Sequence, residues 1–159
     1  MDHSVEDQAL VEAQLGRPVR GSWSVARRCH LDIPMVIENH PRLDDGSPFP
    51  TLYWLTCPVM VKRASKLESE GWMEQLNDRL SNDAGLRARL AVSIERYKET
   101  RDAHEPLVPA PAQPGGGPDR VKCLHSHTAH ELVASNPVGA LVLSMAGFPD
   151  CRSVCVKLG

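Results

Sequence analysis

Thr51-Leu52-Tyr53-Trp54-Leu55-Thr56-Cys57-Pro58-Val59-Met60-Val61 is the stretch on which the fold turns. Up to Thr56 the residues are aromatic or β-favouring types, suited to a pleated and half-buried surface. Pro58 suits the first position of a helix, where its missing N–H costs nothing. Beyond it Val61, Ala64, Leu67, Met73, Leu76 and Leu80 recur at helical spacing. The hydrophobic period therefore switches at Pro58 from two to about 3.6. Strands followed by helices, rather than strands alternating with helices, predict an α+β fold.

Upstream of that switch, Trp23 and Val25 alternate with Ser22, Ser24 and Ala26, and Met35-Val36-Ile37 forms a second apolar run. Asp45-Gly46, set among Pro41, Pro48 and Pro50, forces turns and extended backbone before the third. Hairpin-length connections leave no room for crossover helices. The expectation is a small antiparallel sheet of about three strands packed against helices. Residues 1–16 read as an acidic helix. Ser4 caps it, Gly16 ends it, and Leu10, Val11 and Leu15 give it a thin apolar stripe.

Downstream, the periodicity predicts helices over 58–81, with Gly71 as a break point, and over 84–103 behind an Asp83 cap. Residues 105–118 hold five prolines and three glycines and read as a linker, the segment most open to proteolysis. Asp119 is a natural cap for a helix over 119–134, which Asn136-Pro137 stops. The chain thus divides into the acidic helix at 1–16, a single α+β domain at 17–139 containing the linker, and a tail at 140–159. In that tail Leu141 to Ala146 fits helix and strand equally.

The 159 residues fit one domain at roughly 100–200 residues each. A formal net charge of -2 excludes a general nucleic-acid binder, which needs a basic excess. Apolar runs of a few residues exclude insertion across a membrane by a helix. The first fifteen residues carry four acids and no Lys or Arg, unlike a secretory signal. With no such signal, five cysteines, an odd number, predict a cytoplasmic protein with reduced thiols. Metal binding or thiol chemistry is then favoured over a disulfide framework.

The chemical signal lies in Asp119-Arg120-Val121-Lys122-Cys123-Leu124-His125-Ser126-His127-Thr128-Ala129-His130, where one Cys and three His fall within eight positions. Zinc takes four nitrogen or sulfur ligands in a tetrahedron, and one helix cannot supply them all. On a regular helix Cys123 and His127 share a stripe one turn apart, while His125 points with Val121 and Leu124. Cys123 and His130 would lie about 10.5 Å apart along the axis. If the helix starts only after Cys123, then Cys123 and His125 converge instead. Further ligands must come from afar, and Cys29 and Cys57 each end a predicted strand. The competing reading is five small buried thiols and ordinary surface histidines. Arg42, in the proline-rich loop, and Arg120 and Lys122, at the helix start, form a candidate anion site. The sequence contains no Walker loop, no dinucleotide glycine fingerprint and no G-x-S-x-G elbow.

Two longer stretches carry a resemblance. Pro41-Arg42-Leu43, followed by Asp45 through Pro58, resembles a signature of a bacterial family of uncharacterised proteins, domain of unknown function five hundred and one. Asp119 to His125, with Ala129-His130 and Asn136-Pro137-Val138-Gly139, is similar to its second signature. The likeness runs from about Leu15 to Gly139 and brings no established activity with it. It implies a Cys at position 29, Cys or His at 57, and Cys123, His125 and His130. The chain departs from the family pattern at Cys29-His30-Leu31-Asp32-Ile33-Pro34, where a Cys-x-Gly-x-Pro turn is usual. Cys151 and Cys155 have no counterpart and read as incidental.

These readings define a candidate zinc set of Cys29, Cys57, Cys123 and His125. His130 is an outer partner or a replacement for His125, and His127 is the geometric rival. Two functional classes follow. The preferred one is an interaction or regulatory module, with another protein as its partner, tied together by a structural zinc. It requires a closed site of four protein ligands and no adjoining cleft. The alternative is an enzyme acting on an anionic small molecule, with Cys123 as a thiol nucleophile or with a catalytic metal. It requires an exposed thiol or an open metal position in a pocket.

Overall fold

The computed structural model describes residues 1–107 and 119–158, so most of the predicted linker lies outside the described residues. The switch at Pro58 separates sheet from helices as the period requires. Strands β1 (Trp23–Arg28), β2 (Pro34–Asn39) and β3 (Tyr53–Leu55) form one antiparallel sheet in the order β1-β2-β3. Register shifts between Val25 and Arg28 interrupt the β1–β2 ladder. The hairpin closes through Asp32 at φ 62°, a left-handed position that Asp tolerates. β3 is shorter than the aromatic run suggests. The amide of Leu52 donates to the Tyr97 hydroxyl (2.5 Å) instead of to a strand.

Helix α1 (Val5–Leu15) covers one face of the sheet. Its apolar stripe is enough: Val11 is buried against Trp23 and Ile37, and Arg28 donates two 2.9 Å hydrogen bonds to Asp7. The opposite face carries the helical layer. The predicted stretch 58–81 divides into helices α2 (Pro58–Ser69) and α3 (Trp72–Asn82) at its expected break point, Gly71, with φ 83°. Helix α4 (Ala84–His104) starts at the Asp83 cap.

Helix α5 is Leu124–Val133, five residues shorter at its start than predicted. Asn77 is the reason. Its side chain accepts from the Val121 amide (2.7 Å) and donates to the Val121 carbonyl (2.9 Å), which holds this stretch outside the helix. The tail ambiguity resolves to helix α6 (Pro137–Ala146), capped by Asn136.

α5 lies at the centre, between the sheet and the remaining helices. Ala129 and Leu132 pack with Met35, Val36, Tyr53 and Leu55, while Leu124 packs with Leu76, Leu90 and Ile94. α6 approaches α5 so closely that a Cβ at Gly139 would collide with the His127 carbonyl. No helix among the described residues is long and apolar enough to cross a membrane.

Candidate functional site

Three side chains from two helices meet at the start of α5. Cys123 is the N-cap residue, with φ -149° and ψ 116°. Because it is extended while Leu124 is helical, its side chain is turned toward that of His125, with Sγ 3.9 Å from Nδ1. Glu68, in the last turn of α2, reaches the same place. Its Oε1 accepts from the Leu124 amide (2.9 Å) and lies 3.0 Å from His125 Nδ1. A carboxylate there also suits the positive end of the α5 dipole. The other ring nitrogen of His125, Nε2, lies 3.2 Å from the Val61 carbonyl and 3.0 Å from Ser65 Oγ. Among the described residues, Glu68, Cys123 and His125 are the group whose metal-binding atoms all lie within 4.8 Å of one another.

The electrostatics follow from these contacts. Burial alone would raise the Cys123 thiol, but hydrogen bonds from His125 and Ser126 take it below its ordinary value. His125 is pushed up to about 9, first by its contact with the Cys123 sulfur and then by the charge of Glu68. Glu68 Oε1 and Cys123 Sγ therefore both face the same ring nitrogen, Nδ1 of His125. A cavity of about 360 Å³ adjoins it, walled by Tyr53, Trp54, Leu55 and Val61 and reached by Cys123 and His125.

The other metal candidates read from the sequence divide between two other places. Cys29 and Cys57 line a separate small cavity with Cys151 and Cys155, and neither belongs to the Glu68 group. His127 and His130 lie buried in the core, each with Nδ1 3.0 Å from Asn136 Nδ2. Burial, and secondarily His127, depresses His130 to about 4, so its ring is neutral. The one-turn convergence of Cys123 with His127 needs a helical Cys123, and Cys123 is extended.

The anion candidates are also divided. Arg42 pairs with Glu105 (2.5 Å) and donates to the Gly46 carbonyl. Arg120 and Lys122 line a groove of about 810 Å³ whose walls also carry Glu68, Glu74, Asp78 and Asp119. Carboxylates outnumber cations there. Glu68 itself was not visible in the sequence, where it is one charged residue among many on a helix face. Only the packing of α2 on α5 sets it apart.

No curated protein and no solved structure matches the chain. A family profile does, over residues 25–144, which include the sheet, Glu68, Cys123 and His125. The chain belongs to that family, described as protein of unknown function (DUF501).

Proposed function

We propose that Glu68, Cys123 and His125 hold one divalent transition-metal ion, and that the protein is a metal-dependent enzyme whose substrate enters the adjoining apolar cavity. One observation carries this reading: Glu68 and Cys123 address the same nitrogen of His125. In a nucleophile–base–acid relay the thiol and the acid would sit on opposite ring nitrogens. Here three different donors converge on one point, and Nε2 faces a backbone carbonyl. Metal-ligating histidines are oriented in this way.

Thiolate, imidazole and carboxylate together suit zinc better than magnesium or calcium. Three protein ligands leave a coordination position open, the pattern of catalytic rather than structural sites. A metal in such a site polarises a bound oxygen or lowers the pKa of bound water. The residues of this chain supply the rest. Glu68 is held by the Leu124 amide, His125 by Val61, and Trp54 and Leu55 offer walls for the apolar part of a small molecule. The interaction-module alternative, tied by a structural zinc, keeps one observation in its favour, the separate four-cysteine cavity.

The test is the metal content of protein purified under reducing conditions, combined with alkylation of Cys123. Zinc should slow alkylation of Cys123, and a chelator should restore it. Glu68→Gln should weaken zinc binding by about tenfold or more. If Cys123 alkylates rapidly at the same rate with and without zinc, the thiol is a nucleophile and the metal reading fails.

A further inference from the structure

We propose that Cys29, Cys57, Cys151 and Cys155 form a second metal site, a closed four-thiolate zinc centre that clips the C-terminal tail to the sheet. Four of the chain's five cysteines line one void of about 20 Å³. That is little more than the space of a single water molecule. They arrive from three separate parts of the chain. Cys29 follows β1 in the turn that leads into β2. Cys57 caps α2. Cys151 and Cys155 belong to the segment after α6, which forms neither helix nor strand.

The surroundings fit thiolate ligands. The Leu31 amide donates to Cys29 Sγ (3.4 Å), the kind of contact that stabilises a ligating sulfur. The other walls include Ile33, Pro34, Met35 and Pro149, and no carboxylate lines the void. Gln14, His30 and Ser153 complete the lining, and a donor set dominated by thiolates selects zinc over magnesium or calcium. Four protein ligands leave no open position, so this centre is structural rather than catalytic.

The tail is already anchored in place. His30 Nε2 lies 2.6 Å from the Cys151 carbonyl, and Arg63 donates to the Gly147 carbonyl (2.8 Å). Among the described residues these four cysteines are not drawn together as tightly as Glu68, Cys123 and His125, whose donor atoms lie within 4.8 Å of one another. Ligands of one zinc stand about 3.5–4 Å apart, so binding must draw the tail inward. Each thiol gives up its proton as its sulfur binds the ion.

The experiment uses the full chain, reduced and freed of metal, then alkylated with iodoacetamide in the presence or absence of zinc and mapped by peptide mass. Zinc should protect Cys29, Cys57, Cys151 and Cys155 together, and a chelator should expose them together. In a Glu68→Gln/Cys123→Ser background the chain should still hold one equivalent of zinc. Adding Cys151→Ser and Cys155→Ser should abolish that equivalent. The wild-type mapping stands even if the multiple variant fails to fold. Unchanged alkylation of Cys151 and Cys155 with zinc present overturns the proposal. So does recovery of these cysteines as disulfides that take up no zinc after reduction. Cys123 is read in the same map, so failure at either site is seen independently of the other.

Discussion

The Glu68 carboxylate accepts the amide hydrogen of Leu124 across 56 positions of sequence, and by that bond α2 supplies the cap that α5 lacks on its own. Cys123, the N-cap residue, makes no capping hydrogen bond with its side chain. Glu68 therefore has two separable roles. Glu68→Ala should cost about 1 kcal/mol of stability as the cap is lost, and it should also abolish metal binding. Glu68→Gln keeps an acceptor for Leu124, so its melting temperature should stay near that of the wild type while its zinc affinity falls. Thermal melts and zinc titrations of both variants check the separation. Equal destabilisation by the two would show that charge, not the hydrogen bond, holds the helix start.

Gly139→Ala should be among the most damaging small substitutions in the chain. The added Cβ would meet the His127 carbonyl and the Glu131 side chain, and backbone cannot swing aside. Overpacking typically costs about 1–3 kcal/mol, and a clash with backbone belongs at the upper end. Urea unfolding should show a lower midpoint with an unchanged slope.

Asn136 serves two helices at once. Its Oδ1 caps α6 through the Val138 and Gly139 amides, and its Nδ2 faces both His127 and His130. Asn136→Ala should lose a cap, about 1 kcal/mol, and remove the shared donor from two buried imidazoles, about 1–3 kcal/mol more. Asn136→Asp should also destabilise near neutral pH, because it replaces a donor with a buried charge facing the neutral ring of His130. Denaturant titrations of the two variants test this, and a stable Asn136→Ala would refute it.

Stability in acid should depend on Asp7. The hydrogen bonds from Arg28 outweigh burial and hold its carboxyl below the ordinary value of 3.8. A depressed folded-state pKa means that the unfolded chain binds the proton more readily. The stabilisation is therefore complete above about pH 4 and is lost as pH falls through the folded value. Asp7→Asn should lower the melting temperature at neutral pH, and the gap to wild type should shrink in acid. A gap independent of pH would rule out the ion pair as its source.

Much of the fold was legible because local physics sets it. Ser4, Asp83 and Asn136 cap the helices that follow them, each through its own side chain. The alternation around Trp23 and the aromatic run before Cys57 mark strands. Where local reading failed, a distant partner intervened. Asn77 keeps Val121 out of α5, and Tyr97 takes the amide of Leu52. Neither effect has a periodic signature.

The α+β class, the three-stranded antiparallel sheet and the helix start at Pro58 follow from the sequence alone, since hydrophobic period, proline and caps act over a few neighbouring residues. The full grouping of the chemical residues does not. Cys123 and His125 converge locally at the start of α5, as the sequence allowed, but tertiary packing brought Glu68 to them and set Cys29 and Cys57 beside Cys151 and Cys155. Ligand distances depend on how α2 meets α5 and where the tail returns to the sheet. Those are contacts between segments tens of residues apart, and no local pattern records them.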